Sequence, residues 1–245
     1  MSTFEILLGI SLLGMIILYL RKEKKVPLDQ LSDNNVISGY ILTAEQQNAL
    51  QPDAILTILK KGNQDFMNGA LTVRNNSERM RQASLGQYPL AVVLSCLDSR
   101  VPVEDVFHQG IGDIFVLRVA GNIVNEDILG SLEYACKVSG SKLILVLGHE
   151  YCGAIRSAVD KVEMGNITSL LAKIQPAVDA SMDFDGEKTA ANPKYLHHVC
   201  VENVKLSVQN IRANSHILNQ METEGAIKIV GAVYDMETGR VNFNA

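Results

Sequence analysis

Four apolar runs carry the architecture of this chain: residues 90–94, 114–119, 142–147 and 227–234. Each is of strand length and is bounded by turn residues, the pattern of strands buried on both faces of a parallel sheet. Helical spacing fills the gaps. Ile128, Leu129, Leu132, Ala135 and Cys136 mark one helix over residues 126–138, closed by Gly140. Val199, Val201, Val204, Leu206, Val208 and Ile211 mark a long one over residues 195–218. Residues 154–164 read as a helix stopped by Gly165-Asn166, and residues 169–182 as another with Pro176 as kink or restart. The alternation of strand and helix predicts an α/β fold: a central, mainly parallel β-sheet of about four to five strands with flanking helices and right-handed crossovers. After the last parallel strand, residues 235–239 predict a hairpin turn and residues 240–243 an antiparallel edge strand.

Upstream of the first strand the signals are weaker. Thr43 and Gln46 fit a capped short helix. Pro52 opens a second, with Ile55, Leu56, Ile58 and Leu59 on its apolar face and Gly62-Asn63 as its stop. Residues 64–68 read as a further turn, and residues 73–84, polar with three arginines, as helical or irregular surface. Residues 4–20 are nearly all apolar and are followed at once by Arg21, Lys22, Lys24 and Lys25. That run is about the minimum that spans a bilayer, and its basic flank predicts that the downstream domain stays cytoplasmic. The expected organisation is an apolar N-terminal membrane-anchor helix with a basic flank over residues 1–25, a linker over 26–45, and a catalytic domain over 46–245. An apolar helix packed on the protein or a partner subunit is one alternative. An atypical export signal, giving a periplasmic domain, is another.

Composition narrows the class. A hydrophobic content of 47% and a net charge of -5 argue against disorder and against a nucleic-acid partner. The four cysteines, Cys96, Cys136, Cys152 and Cys200, are too few for a disulfide scaffold in a chain of 245 residues. Cys136 and Cys200 sit in apolar helical contexts and read as core.

Cys96 and Cys152 have a different setting. Cys96, Asp98 and Arg100 alternate just past the first strand, and His149 and Cys152 follow the third. Ends of parallel strands are where ligands bind in open α/β sheets. Two thiols and an imidazole suit zinc, and a missing fourth protein donor leaves a corner open for water. Taken alone, His149-x-x-Cys152 fits a buried cysteine beside a satisfied histidine equally well. Cys96 at a separate strand end favours the metal, because adjacent parallel strands would bring it close. Asp98 and Arg100, two apart in extended backbone, are placed to form a bidentate pair. His108, His197, His198 and His216 have no partner at ligand spacing and read as surface or helix residues.

Together, Cys96-x-Asp98-x-Arg100, Arg118-Val119-Ala120-Gly121-Asn122 and Gly148-His149-x-x-Cys152-Gly153 resemble the β-class carbonic anhydrases. The resemblance implies an enzyme that interconverts carbon dioxide and bicarbonate by attack of a zinc-activated water. One Zn2+ per subunit would be held by Cys96, His149 and Cys152. It implies Asp98 and Arg100 as the dyad beside the metal, with Gln87 and Phe115 in the substrate pocket. A homodimer or dimer of dimers with sites at subunit boundaries is the implied assembly. Hydrolysis of carbon disulfide or carbonyl sulfide at the same type of site is the alternative reaction. A bicarbonate-sensing or zinc-stabilised membrane protein is the non-enzymatic rival, and it would bind zinc without turnover. Two positions depart from the family pattern. Leu97 replaces a small polar residue and is expected to point away from the metal. Val93 stands where one subgroup has a tryptophan at a non-catalytic bicarbonate site, although Arg118 and Tyr134 match other parts of that site.

Overall fold

The computed structural model describes residues 41–71 and 75–243. The apolar runs form four parallel strands: β1 (Ala91–Ser95), β2 (Ile114–Arg118), β3 (Leu143–His149) and β4 (Lys228–Tyr234). A fifth, β5 (Val241–Asn242), returns antiparallel to β4. The order across the sheet is β2-β1-β3-β4-β5. The mainly parallel α/β sheet expected from the sequence is therefore present. β1 and β3 are buried at every position, as befits central strands, whereas β2 at the edge is half-buried and ends on the exposed Arg118.

Ten helices of the described residues surround the sheet: α1 (Ala44–Ala49), α2 (Pro52–Met67), α3 (Asn76–Ala83), α4 (Val103–Val106), α5 (Glu126–Glu133), α6 (Gly153–Val159), α7 (Gly165–Leu171), α8 (Gln175–Ala180), α9 (Pro193–Asn214) and α10 (His216–Thr223). On one face Val92, Leu94, Ile144 and Val146 pack with Leu132 of α5, Ile155 of α6 and Val199 and Val204 of α9. Each such side chain taken fully from water contributes about 1.5–3 kcal/mol. On the other face α2 lies against β3, with Ile55 and Leu59 fully buried.

The topology positions the site. From β1 the chain passes to β2 on one side, then crosses over to β3 on the other. The chain leaves the carboxyl end of β1 toward β2 and that of β3 toward β4, in opposite directions, so the strand order switches between β1 and β3, the place where open α/β sheets bind ligands.

Several local expectations are corrected by packing. Gly62-Asn63 is not a helix stop, because α2 runs on to Met67. Gly62 is instead a point of close approach: a Cβ there would lie 1.9 Å from the Phe107 carbonyl oxygen. Gly62→Ala is expected to lower stability by at least about 2 kcal/mol, measured by urea unfolding, because backbone and not a flexible side chain would have to move. The segment around Arg79 is not simply polar surface. Arg79 is fully buried and ion-paired with Asp113, tying α3 to the turn before β2. Gly165-Asn166 opens α7 and does not end α6, which stops at Val159. The long C-terminal helix breaks at Ser215, whose hydroxyl accepts from the Leu218 amide at 3.2 Å and donates to Glu133 at 2.6 Å.

The expectation of membrane association is also corrected. No helix among the described residues is long and apolar enough to cross a membrane. Residues 4–20, on which that expectation and the cytoplasmic or periplasmic placement rested, lie outside the described residues, as do the basic flank and most of the linker.

Candidate metal centre

β1 and β3 are neighbours in register, with Ser95 opposite Leu147. Cys96 leaves the end of β1 just as the chain of β3 runs out through Gly148 to His149. Beyond Glu150 the backbone turns at Tyr151, whose φ is +56°, and Cys152 caps α6. This reversal carries Cys152 back over the end of β1. The donor atoms of Cys96, His149 and Cys152 all lie within 4.8 Å of one another, and all three residues are buried.

Three observations test whether this cluster fits a metal. The two sulfurs stand 4.0 Å apart, close to the roughly 3.8 Å edge of a tetrahedron with zinc–sulfur bonds of about 2.3 Å. His149 Nδ1 is 2.8 Å from the Glu150 carbonyl oxygen, so it carries the proton and donates. His149 Nε2 is thereby left as a lone-pair donor, and it is buried without a hydrogen-bond partner. A buried, orphaned nitrogen facing two thiols is costly unless a cation occupies the space between them. The cluster is a zinc site, one ion per chain.

The surroundings favour thiolate at the first cysteine. Its hydrogen bond with Cys152 is the largest influence. With contacts from His149 and the Gly121 and Asp98 amides, it outweighs burial and draws the Cys96 thiol well below the usual thiol range. Cys152 moves the other way, because it is buried beside Cys96. Two adjacent thiolates therefore need a cation between them.

Asp98 and Arg100 form the expected pair. Arg100 Nε donates to Asp98 Oδ1 at 2.9 Å and Nη2 to Oδ2 at 2.7 Å, while the Arg100 amide donates to Oδ1 at 3.0 Å. This fork holds the Asp98 carboxyl at about 2, well below the usual carboxylate range. Asp98 Oδ2 is 4.0 Å from His149 Nε2, beside the metal position. Leu97 is exposed, whereas the three donor residues are buried.

Supporting residues lie elsewhere in the chain. Arg118 Nε donates to the Cys96 carbonyl at 3.1 Å, and Nη2 donates to the Asp98 carbonyl, so one guanidinium clamps the loop that carries ligand and dyad. The Gly121 amide donates to Cys96 Sγ at 3.3 Å. Gly121 has φ +66°, and a Cβ there would meet Ile174 at 2.6 Å, so glycine is required. Asn203 of α9 holds the Gly121 carbonyl at 2.8 Å, and Ser207, one turn on, holds that of Asn122 at 3.1 Å. Sequence reasoning missed this pair. Its signal is two polar residues four apart on the apolar face of α9. Cys200 donates to the His149 carbonyl at 3.4 Å, and burial pushes its thiol up to about 12; Cys136 is buried core with a similarly raised thiol.

The remaining residues fall away from the centre. Gln87 is exposed ahead of β1, and the five residues of β1 separate it from Cys96 by about 16 Å of strand. Phe115 pairs with Val92, four residues before Cys96, and lines a cleft between β2 and α5. The structure does not bring either to the metal cluster of its own chain. Val93 is buried within β1 and Tyr134 is exposed, while Arg118 is engaged by the loop carbonyls. Among the other histidines, His108 is not a surface residue but fully buried beside Asp65. His197 is exposed on α9 and pairs with Glu150, whose carboxylate raises the imidazole's pKa.

The carbonic anhydrase family model matches residues 91–241. "Carbonic anhydrase 2" of Mycobacterium tuberculosis is 33% identical over 195 residues, covering 77% of this chain and 91% of the relative. The carbonic anhydrase of Mycolicibacterium smegmatis is 33% identical over 200 residues, covering 79% and 94%. Among solved structures, a Coccomyxa beta-carbonic anhydrase in complex with acetazolamide superposes with TM-score 0.62 at 26% identity, covering 77% of this chain and 86% of that one. With a matching family model, a matching sheet and a buried Cys-His-Cys zinc site, this chain belongs to the β-class carbonic anhydrase family and is a zinc enzyme of carbon dioxide hydration.

Proposed function

We propose that Asp98 and Arg100 are the working dyad of this centre as it converts carbon dioxide and water reversibly into bicarbonate and a proton. The observation that carries this reading is a buried three-donor cluster with an ion-paired carboxylate at its open side. Zinc bound there supplies a Lewis acid that makes water a nucleophile near neutral pH. Asp98, held in orientation by Arg100, accepts the nucleophile's hydrogen and so aims its lone pair at the carbon of carbon dioxide. Arg100 fixes the carboxylate in rotation, because its two nitrogens engage both oxygens. A structural zinc site fills all four positions with protein donors and has no use for such a pair.

Gln87 and Phe115 complete the reading as substrate-pocket residues that serve the metal of a second copy of the chain. Their distance from Cys96 along β1 and β2 supports this, since neither reaches its own metal.

Metal removal is the direct test. Chelator-stripped protein is expected to lose carbon dioxide hydration in a stopped-flow pH-indicator assay and to regain it with one equivalent of zinc per chain. Stoichiometric zinc uptake with no return of turnover would make the centre structural and refute the assignment.

A further inference from the structure

We propose that Tyr151 and Glu237 are positioning residues for the dyad, forming a latch that holds Arg100 against Asp98 from the β4–β5 hairpin. The proposal rests on the dyad reading above and deepens it.

The starting point is an unusual backbone. Tyr151 has φ +56°, a left-handed conformation that L residues with large side chains rarely adopt. The turn it makes has two consequences. It returns Cys152 toward Cys96, and it aims the Tyr151 carbonyl at Arg100, whose Nη2 donates to it at 3.3 Å. Apart from Asp98, that carbonyl is the one hydrogen-bond acceptor of the Arg100 side chain among the described residues. The guanidinium is otherwise more than half exposed. An exposed arginine bound only to a carboxylate has many competing rotamers and water partners. The carbonyl narrows that freedom.

Something must hold the strained residue in turn. The Tyr151 hydroxyl donates to Glu237 Oε1 at 2.5 Å. Glu237 sits in the hairpin between β4 and β5, and that hairpin is stiff. Asp235 Oδ1 accepts from the Glu237 amide at 2.8 Å, and Asp235 Oδ2 accepts from the Thr238 hydroxyl at 2.6 Å. Asn63, buried on α2, anchors the far side: its Nδ2 donates to the Gly239 carbonyl at 2.8 Å, and its Oδ1 accepts from the Val241 amide at 2.9 Å. A rigid platform thus fixes a phenol, the phenol fixes a left-handed turn, and the turn offers the acceptor that orients Arg100. Glu237 and Tyr151 touch neither metal nor substrate. They act through Arg100.

The test uses zinc-loaded Tyr151→Phe, Glu237→Ala and Glu237→Gln. Tyr151→Phe and Glu237→Ala are each expected to lower kcat about tenfold with KM unchanged. Glu237→Gln keeps an acceptor oxygen and is expected to restore most of kcat. The double variant Tyr151→Phe/Glu237→Ala is expected to be no worse than either single one, since both cut the same link. Crystal structures of the two impaired variants are expected to show Arg100 withdrawn from Asp98, with zinc still at one per chain. Native kcat in both variants, additive losses, or an Arg100–Asp98 fork left intact would each overturn the latch. Arg100→Ala measured alongside separates the two levels. If it loses turnover while the latch variants keep it, only the latch fails; if it keeps turnover, the dyad reading fails as well.

Discussion

His149→Ala is expected to cost the protein its zinc, and with the zinc at least about a thousandfold in carbon dioxide hydration, because metal chemistry carries most of such an enzyme's rate advantage. The reason lies in the donor geometry. His149 Nε2 is the one nitrogen in the cluster, and it is buried with no other partner. Two ligands remain after its removal, Cys96 and Cys152, with sulfurs 4.0 Å apart. A two-thiolate site loses both an anchoring bond and the geometry that holds the ion at the crevice. Metal analysis of the purified variant should read far below one zinc per chain, and the stopped-flow rate should approach that of buffer. A variant that keeps stoichiometric zinc would show that His149 is not a ligand. Since His149 Nδ1 is held by the Glu150 carbonyl, a glutamine in its place would not restore the site: it offers no nitrogen lone pair.

Arg100→Ala has the second largest expected effect, and it separates metal binding from catalysis. Zinc should stay at one per chain, because Arg100 is not a donor. Hydration should fall about a hundredfold, the scale of losing orientation at a reacting centre. The loss comes from orientation and not from charge. Arg100 holds Asp98 at about 2, against 3.8 for the ordinary residue. A depressed folded pKa means that the pair's stabilising contribution is present above the ordinary value and is lost as pH falls through the depressed one. Without Arg100 the carboxyl relaxes toward its ordinary range and is still ionised at neutral pH. What disappears is the fork that fixes its two oxygens, leaving Asp98 free to turn toward the metal's open corner. The shape of the rate profile between about pH 6 and 9 should therefore be kept while its height falls, as both forms have an ionised carboxylate there. Near-native rates in this variant would remove the dyad from the mechanism.

The sheet and the donor set were legible in the chain because both are written locally. A strand buried on two faces is apolar along most of its length, so β1 and β3 announce themselves. Asp98 and Arg100 are two apart in extended backbone, and their meeting follows from that spacing. His149 and Cys152 are joined by one short turn. Where a local signal had two physical meanings, reading the sequence chose wrongly. Gly62 breaks helices in isolation, but here it admits the Phe107 carbonyl. Arg79 is a surface residue by type, but its charge is neutralised by Asp113 from beyond β1. His108 is buried beside Asp65 for the same kind of reason.

The sequence by itself determined the α/β class and the alternation of strand and helix, put Asp98 within reach of Arg100 and His149 near Cys152, and marked the three donors through its family motifs, because periodicity and short spacings are properties of neighbouring residues. Tertiary structure alone decided that β1 lies beside β3, which brings Cys96 to Cys152 across 56 positions of chain. It also decided that Arg118, Asn203 and Glu237 converge on the loops of the metal centre, and that Gln87 and Phe115 do not reach it. Those outcomes depend on which strands pair and which helix covers them. No window of sequence holds that information, since burial and partner for each of these polar groups come from segments far away in the chain.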